Sequence, residues 1–220
     1  MLVKDRMISD PVTVTVNTTV AEALEIIHHN LFRHLPVLDA EGNLVGVVTE
    51  KNLVYASQKG VQKEGQKEGQ KEVGCEDSPA DRSVGSLIEG TLVTVGPDLP
   101  IEEAARRMID HRVDCLPVMK EGQFIGLIND TDIFCVLVEG LGGGHPSLRL
   151  TLVVPEAVGS LLKVVGCIVD LGGNIHSLGT FWGKGPEDRI IAFRLEGVDR
   201  QAAIRSLEEA EIEIVDVWEP

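Results

Sequence analysis

The sequence has few basic residues and no long hydrophobic run. Its 20 Lys and Arg are outnumbered by 35 Asp and Glu, which gives a formal net charge of −15. Contacts with phosphate backbones and anionic lipids need clustered positive charge, so this balance argues against nucleic acid and membrane partners. No apolar run has the length that spans a bilayer, and the N-terminus lacks the apolar core of a signal peptide. We therefore expect a soluble, cytoplasmic protein.

Residue patterns that support metal or catalytic chemistry are also missing. The four cysteines are widely spaced and form no CxxC pair, so neither a disulfide framework nor a zinc cluster is expected. His28 and His29 are adjacent, would point about 100° apart on a helix, and have no further ligand at metal spacing. The sequence contains no P-loop, no nucleophile elbow and no serine with an evident base. We predict no metal site, no catalytic residue and no catalytic cofactor, and therefore a protein that is not an enzyme.

The dominant positive feature is a stretch that occurs twice, at residues 35–53 and 116–133. The two copies are 81 residues apart at Pro36 and Pro117, and 80 residues apart at Gly46 and Gly126, because the second turn is one residue shorter. Each copy follows a Val-Thr strand pattern and a helical pattern, and the first helix opens with a capping box at Thr19 and Glu22. Such a period indicates two similar strand-helix-strand-strand-helix units packed against each other as one domain.

Composition predicts where these units end. Repeat one is assigned to residues 1–57, a flexible exposed linker with a Gln-Lys-Glu-Gly period to 58–83, and repeat two to 84–139. The glycine-rich segment 140–147 reads as a hinge. Residues 148–220 carry the pattern strand-helix-strand-strand-helix-strand, which is the ferredoxin-like arrangement. The predicted fold class is α+β.

Polar residues follow the last strand of each repeat. Thr49 would start a helix with Asn52 one turn later, and Asn129 and Asp132 hold the matching positions. One interpretation is helix capping alone. The other is that free amides at the helix start receive a phosphate while Asn52 or Asp132 binds a ribose hydroxyl.

These two repeats, with their Leu-Pro-Val strands and their Gly-Val-Val-Thr-Glu-Lys-Asn run, resemble a CBS domain pair, the Bateman module. The resemblance implies an adenosyl ligand (AMP, ADP, ATP or S-adenosylmethionine) bound as a regulator through Thr49 with Asn52 and Asn129 with Asp132. Both copies depart from the family's Thr and Asp pattern, since Asn52 lacks a carboxylate and Asn129 lacks a hydroxyl. The resemblance further implies that Arg33 and His34 reach ligand phosphates, although a surface Arg and a half-buried His are the alternative.

At the positions that match Arg33 and His34, repeat two has Asp114 and Cys115. This difference places the better phosphate site in repeat one. Repeat two would then serve a less charged ligand or packing alone.

The C-terminal part resembles an ACT domain, a small-molecule sensor that often binds amino acids at dimer interfaces. The resemblance is carried by a Pro-Glu-Ala-Val-Gly-Ser-Leu loop and a Leu-Gly-Gly-Asn-Ile turn. It implies weak effector contacts from Gly159, Ser160, Leu161, Asn174 and Ile175. The alternative is that these are turn residues of a domain that only dimerises.

The combination resembles bacterial acetoin-utilization CBS–ACT proteins. It implies a regulatory homodimer that senses a nucleotide and an effector such as an amino acid, and that acts on an enzyme. Two other classes stay open: a structural or adaptor dimer with degenerate nucleotide sites, and an enzyme whose catalytic constellation the sequence does not reveal.

Overall fold

A computed structural model of the protein describes residues 1–58, 79–88 and 90–220. The chain divides into two units, Met1–Ile133 and Phe134–Pro220, and the division falls inside one helix, Asp130–Gly140. Most of the predicted linker 58–83 lies outside the described residues. Its two ends are folded, because Gln58 closes a helix and Pro79–Asp81 forms a 3-10 turn. The predicted hinge at 140–147 stays a prediction.

Repeat one has the predicted element order, preceded by a two-residue strand, Ile8–Ser9, that was not predicted. The capping box is confirmed: Thr19 Oγ1 accepts a hydrogen bond from the Glu22 amide at 3.2 Å, and Glu22 Oε2 accepts one from the Thr19 amide at 2.9 Å. The expected strand around residues 12–16 is only two residues long. The elements are β1 (Ile8–Ser9), β2 (Val14–Thr15), α1 (Val20–Asn30), β3 (His34–Leu38), β4 (Leu44–Thr49) and α2 (Glu50–Gln58).

Repeat two follows with one difference. The strand expected at residues 93–95 is wrong, because Val95 makes only an isolated parallel bridge to Val118. Two backbone hydrogen bonds hold it there, from the Val95 amide to the Pro117 carbonyl and from the Met119 amide to the Val95 carbonyl. The elements are α3 (Ile101–His111), β5 (Cys115–Lys120), β6 (Gln123–Asn129) and α4 (Asp130–Gly140).

The segment that precedes each repeat packs on the other repeat. Near the N-terminus, the Val3 amide donates to the Leu99 carbonyl, and β1 pairs antiparallel with β6. In the same way, the Val84 amide donates to the Thr18 carbonyl, and Val84 is fully buried in the core of repeat one. The exchange joins the repeats into one folded unit, since each supplies apolar surface that the other buries.

The unit Phe134–Pro220 contains four strands and two helices after the end of α4. The elements are β7 (Leu148–Pro155), α5 (Ser160–Asp170), β8 (Asn174–Trp182), β9 (Asp188–Glu196), α6 (Arg200–Glu209) and β10 (Glu213–Trp218). The strands form an antiparallel sheet in the order β10-β7-β9-β8, so that connectivity and strand order are ferredoxin-like, as predicted. Alternate residues of β7 (Leu148, Leu150, Leu152 and Val154) are buried with apolar residues of α5 and α6.

Residues of the predicted hinge are held within this second unit. Arg194 Nε donates to the Leu141 carbonyl at 3.2 Å, and its Nη1 donates to the His145 carbonyl at 3.3 Å. Across the described parts of the chain, no helix combines the length and apolar character needed to cross a membrane.

Candidate functional site

A cavity of about 400 Å³ lies between the two repeats of the first unit. That volume is within the range of small-molecule sites, which is roughly 300–1,000 Å³. Repeat one contributes β4 and the start of α2, and repeat two contributes residues 90–93 and the loop from α3 to β5. The polar side chains in its wall are His34, Thr49, Asn52, Thr91, Arg112 and Asp114.

Thr49 and Asn52 cap α2 by binding each other. Thr49 Oγ1 accepts a hydrogen bond from the backbone amide of Asn52 at 3.1 Å and donates one to the side-chain oxygen Asn52 Oδ1 at 2.6 Å. Asn52 Oδ1 also accepts from the Thr49 amide at 3.3 Å. The capping interpretation is therefore correct as a description of the geometry. Both residues also line the cavity, so capping and ligand contact are compatible here.

His34 and Asp114 join the two repeats at the cavity wall. The His34 ring is nearly buried, and its Nε2 lies 2.9 Å from Asp114 Oδ1. Burial acts to raise the pKa of the Asp114 carboxyl. The hydrogen bond and charge of His34, together with the Asp114 backbone amide and the charge of Arg33, hold that pKa below its usual value. Asp114 is thus a carboxylate at neutral pH. It faces the cavity from the position where repeat one has Arg33.

Arg33 and Arg112 differ from the sequence-based expectation. The sequence pointed to Arg33 as the arginine of the site, whereas Arg112 lines the cavity. Arg33 is not part of the cavity wall; its guanidinium pairs with Asp130 and donates to Thr131 Oγ1 at 2.7 Å, at the start of α4. The arginine that does line the cavity is Arg112, in the loop after α3. Sequence reasoning missed it because the loop between α3 and β5 reaches the other repeat. A signal was present, since only Val113 and Asp114 separate Arg112 from the second copy of the strand that defines the repeat.

The start of α4 repeats the capping geometry with different charges. The Asn129 amide donates to Asp132 Oδ2 at 2.8 Å, and the Asp132 amide donates to Asn129 Oδ1 at 3.1 Å. Burial raises the pKa of Asp132, and the nearby Asp130 adds to this. Burial also raises the pKa of the Cys115 thiol, so that Cys115 is an unreactive thiol at neutral pH.

A second, smaller cavity of about 220 Å³ lies in the C-terminal unit. Ser160 and Leu161, both predicted effector residues, line it at the start of α5, next to Gly159 with its φ of +92°. Asn174 and Ile175 are not brought to this place. Asn174 begins β8, and the lining residue Thr180 is six positions further on, about 20 Å along an extended strand.

Arg189 and Glu156 also line the smaller cavity and pair with each other. The Arg189 guanidinium lies over the ring of Trp182 at 3.7 Å. Neither residue was predicted from the sequence. Over residues 1–58, 79–88 and 90–220, no group of three or more His, Cys, Asp or Glu side chains is placed to hold a metal ion.

The family model for the CBS domain matches residues 3–59 and 84–139, just over half of the chain. This chain belongs to the CBS domain family. The match begins at Val3 and again at Val84, the two buried residues that open the exchanged segments. The predicted CBS pair is confirmed.

Curated relatives agree with this assignment. A CBS domain-containing protein of Dictyostelium discoideum is 30% identical over 142 residues, which is 64% of this chain and 94% of that protein. An L-aspartate semialdehyde sulfurtransferase of Methanosarcina acetivorans is 29% identical over 133 residues, 60% of this chain but only 23% of the enzyme. The chain therefore spans almost the whole Dictyostelium protein and less than a quarter of the sulfurtransferase.

Solved structures share the fold of the CBS pair. One is a protein from Vibrio cholerae named for acetoin utilization (AcuB), with 23% identity and a TM-score of 0.53, covering 63% of this chain and 92% of that one. Another is a CBS domain pair in complex with 5′-methylthioadenosine and S-adenosyl-L-methionine, with 22% identity and a TM-score of 0.51, covering 63% and 97%.

Proposed function

We propose that this protein is a regulatory sensor whose CBS pair binds an adenosine-containing nucleotide in the cavity at the start of α2. The observation that carries the proposal is the cavity itself, which has the volume of a small-molecule site and the capped N-terminus of α2 in its wall. Helix N-termini attract anions through their free amides and their dipole. The ligand class is AMP, ADP, ATP or S-adenosylmethionine, and a fold neighbour that holds adenosyl compounds supports testing these first.

Within this site, Thr49 and the positive end of the α2 dipole would attract a phosphate or carboxylate group, since the Glu50 and Asn52 backbone amides already donate to the Arg33 carbonyl and to Thr49 Oγ1. Arg112 would supply the positive charge, because an arginine fork pairs with such groups in a bidentate manner. We propose a packing role for Arg33, Asn129 and Asp132. At the start of α4, Asn129 and Asp132 bind each other, and Arg33 binds Asp130 and Thr131. A role in acetoin utilization rests on resemblance and on one fold neighbour's name.

The proposed regulation uses the fact that the cavity wall comes from both repeats. A ligand that contacts both would favour one packing of the pair over others, which shifts the population of states. Helix α4 starts in the first unit and continues into the second. We place the functional boundary at residues 140–147, after this helix, so that α4 can pass the bias onward. The regulated partner would be an enzyme, and this chain itself would have no catalytic role.

A thermal-shift experiment on the full chain tests the nucleotide proposal. AMP, ADP, ATP, S-adenosylmethionine and NADH are each added, with cytidine monophosphate as the control for the base. A ligand at 100 times its Kd adds roughly 2.7 kcal/mol to the free energy of unfolding of the unit that binds it. We expect at least one adenosyl compound to raise the melting temperature more than the cytidine control. If none of the five does, the sensor proposal is wrong for this ligand class.

The second candidate function is a structural or adaptor dimer with a degenerate nucleotide site. The observation in its favour is that Thr49 and Asn52 already satisfy each other. The thermal-shift screen separates the two candidates, because an adaptor would show no adenosyl-dependent shift while it keeps its oligomeric state.

For the C-terminal unit we propose an ACT-like role in binding a small effector such as an amino acid, or in dimerisation. The smaller cavity supports the first role, with Ser160 and Leu161 beside the paired charges of Arg189 and Glu156. Asn174 begins β8, where it pairs with Glu196 of β9, and Ile175 packs against the core. The test is the same thermal-shift assay with a set of amino acids, with Arg189→Gln as the variant expected to abolish any shift.

We propose a homodimer that forms through α5. This helix has a buried apolar face, but Leu162 and Val169 on its outer face are also apolar, with 74% and 59% exposure. Lys163 and Asp170 lie two helical turns apart beside them, so that two copies of α5 running antiparallel would bring opposite charges together. A second copy of this chain is therefore the partner that fits.

Sedimentation equilibrium tests the dimer. Leu162→Asp should weaken association at least tenfold, whereas Leu31→Asp, which changes an exposed leucine in the first unit, should not. Equal association of the two variants would contradict the assignment of α5 as the interface.

A further inference from the structure

The amide oxygen of Asn52 is already occupied by the helix cap. It accepts one hydrogen bond from Thr49 Oγ1 at 2.6 Å and one from the Thr49 amide at 3.3 Å. An amide oxygen has two lone pairs, so what Asn52 has left to offer a ligand is its NH₂ group, which can only donate. A sugar diol carries O–H donors that need an acceptor. The acceptor in this cavity must therefore come from another residue.

Asp114 meets this need. Among the described residues that line the cavity, it is the one carboxylate. Its Oδ1 is held by His34 Nε2 at 2.9 Å. Apart from a contact with its own backbone amide, the carboxylate forms no other hydrogen bond with a described residue, so Oδ2 keeps acceptor capacity. The Asp114 side chain is 58% exposed, so a ligand in the cavity can reach the free oxygen. A charged acceptor binds a hydroxyl roughly twice as strongly as a neutral one does.

We propose that Asp114, supplied by repeat two, accepts the hydrogen bonds of a ligand's vicinal hydroxyls in the cavity at the start of α2, with His34 as its positioning residue. This inference rests on the proposed nucleotide function and names the group that the site recognises. It also explains how repeat one can have Asn at position 52. The carboxylate that the helix lacks is delivered by the loop of the other repeat.

In the pair of His34 and Asp114, the buried His34 positions the exposed Asp114. His34 is held at the start of β3 with a side-chain exposure of 5%, so its ring is fixed by packing on the repeat-one side. Asp114 projects from the loop after α3, on the repeat-two side. The hydrogen bond between them fixes the orientation of a carboxylate that would otherwise rotate. A positioned carboxylate loses less conformational entropy when it binds a diol.

Isothermal titration calorimetry on the full chain tests the inference with AMP and 2′,3′-dideoxy-AMP, which differ only in the two hydroxyls. The wild-type protein should bind AMP at least about tenfold more tightly. In Asp114→Asn this ratio should fall to within about threefold of unity, because the neutral amide is a weaker acceptor. The matched control is Asp110→Asn, which removes an exposed carboxylate that pairs with Arg106 outside the cavity; its ratio should equal the wild-type ratio.

Two variants of His34 separate positioning from general stability. His34→Gln keeps a side-chain N–H donor and should retain most of the preference for AMP over the dideoxy compound. His34→Leu removes the donor and should lose the preference for AMP, even where both variants show the same unfolding midpoint.

A preference that survives in Asp114→Asn but disappears in Asn52→Ala would assign the diol to Asn52 and overturn the inference. If another adenosyl compound of the thermal-shift screen binds in place of AMP, the same comparison is made with that compound and its 2′,3′-dideoxy form. Failure of all five compounds to bind the wild-type chain would overturn the proposed function as well.

Discussion

The two CBS repeats share the order helix, strand, strand, helix but differ at the outer edge of their sheets. In repeat two, β1 pairs with β6 and covers that edge. In repeat one, β4 is the last strand of its sheet as far as the described residues extend, and it lines the cavity instead. The comparison indicates that an open cavity beside one of these sheets depends on how the exchanged segment packs. In repeat two the segment pairs as a strand and occupies the sheet edge that lines the cavity in repeat one.

The matching glycines in the two strands report this difference directly. A Cβ added at Gly126 would lie 2.7 Å from the backbone oxygen of Ile8, in β1. A Cβ added at Gly46 would lie 2.6 Å from Cγ2 of the Ile88 side chain. A backbone carbonyl in a strand pair cannot move aside, whereas the end of a side chain can rotate.

The largest expected effect is therefore a difference between two glycine substitutions. Gly126→Ala should lower the free energy of unfolding by about 1–3 kcal/mol, as overpacking does when the neighbour cannot yield. Gly46→Ala should cost less than about 1 kcal/mol, because Ile88 can adopt another rotamer. Urea unfolding of the full chain, followed by circular dichroism, measures both. Equal midpoints for the two variants would show that β1 does not hold β6 as described.

A smaller effect is expected from removing each helix cap. Thr49→Val and Asn129→Ala should each cost about 1 kcal/mol, since each removes a side-chain oxygen that accepts from an amide at the helix start. Their effects on ligand affinity should differ. Thr49→Val should weaken binding of the nucleotide found in the thermal-shift screen, and Asn129→Ala should leave it within about twofold if the site is at repeat one. Reversed results would move the site to repeat two.

The smallest effect concerns pH and the carboxylate at the start of α4. The pKa of Asp132 is raised in the folded protein, so its contribution to stability is present below the unfolded value of 3.8 and is lost as pH rises through the folded pKa. Asp132→Asn should therefore gain stability relative to wild type as pH rises from about 3.5 to 7, by less than about 1 kcal/mol. Unfolding midpoints at a series of pH values measure it.

Asp98→Asn is the control of opposite sign. The hydrogen bond and charge of Lys4 lower the pKa of Asp98, so the wild-type residue contributes stability above its unfolded value, and that contribution is lost as pH falls. The Asp98→Asn variant should thus lose stability relative to wild type as pH rises. Parallel trends in the two variants would contradict the opposite directions of the two pKa shifts.

Much of the fold follows from local pattern. The helix start at Thr19, the turn between residues 38 and 44, and the repeated strands at Pro36 and Pro117 are where alternation, capping residues and the repeat placed them. The Val-Thr strand before α3 was overestimated because alternation predicts an extended chain but not a partner along its whole length. Capping pairs at Thr49 and Asn129 were also foreseen, because caps depend on residues within one turn.

The composition of the candidate site could not be foreseen in the same way. Sequence order assigned Arg33 to repeat one, yet it binds Asp130 and Thr131 of repeat two. Arg112 and Asp114 were not seen as partners of Thr49, since more than 60 residues separate them along the chain. Only the exchange of segments between the repeats places them around one cavity.

The sequence of residues 35–53 and of their copy thus predicts the strands, the turn, the helix starts and the family of this protein. Each of these features depends on residues that are a few positions apart in the chain. Tertiary structure alone decided which repeat has an open cavity, which arginine lines it and which carboxylate faces it. The physical reason is that hydrophobic burial drives the two repeats together and polar loops follow the packing. Chain order within a loop does not tell which repeat that loop will reach.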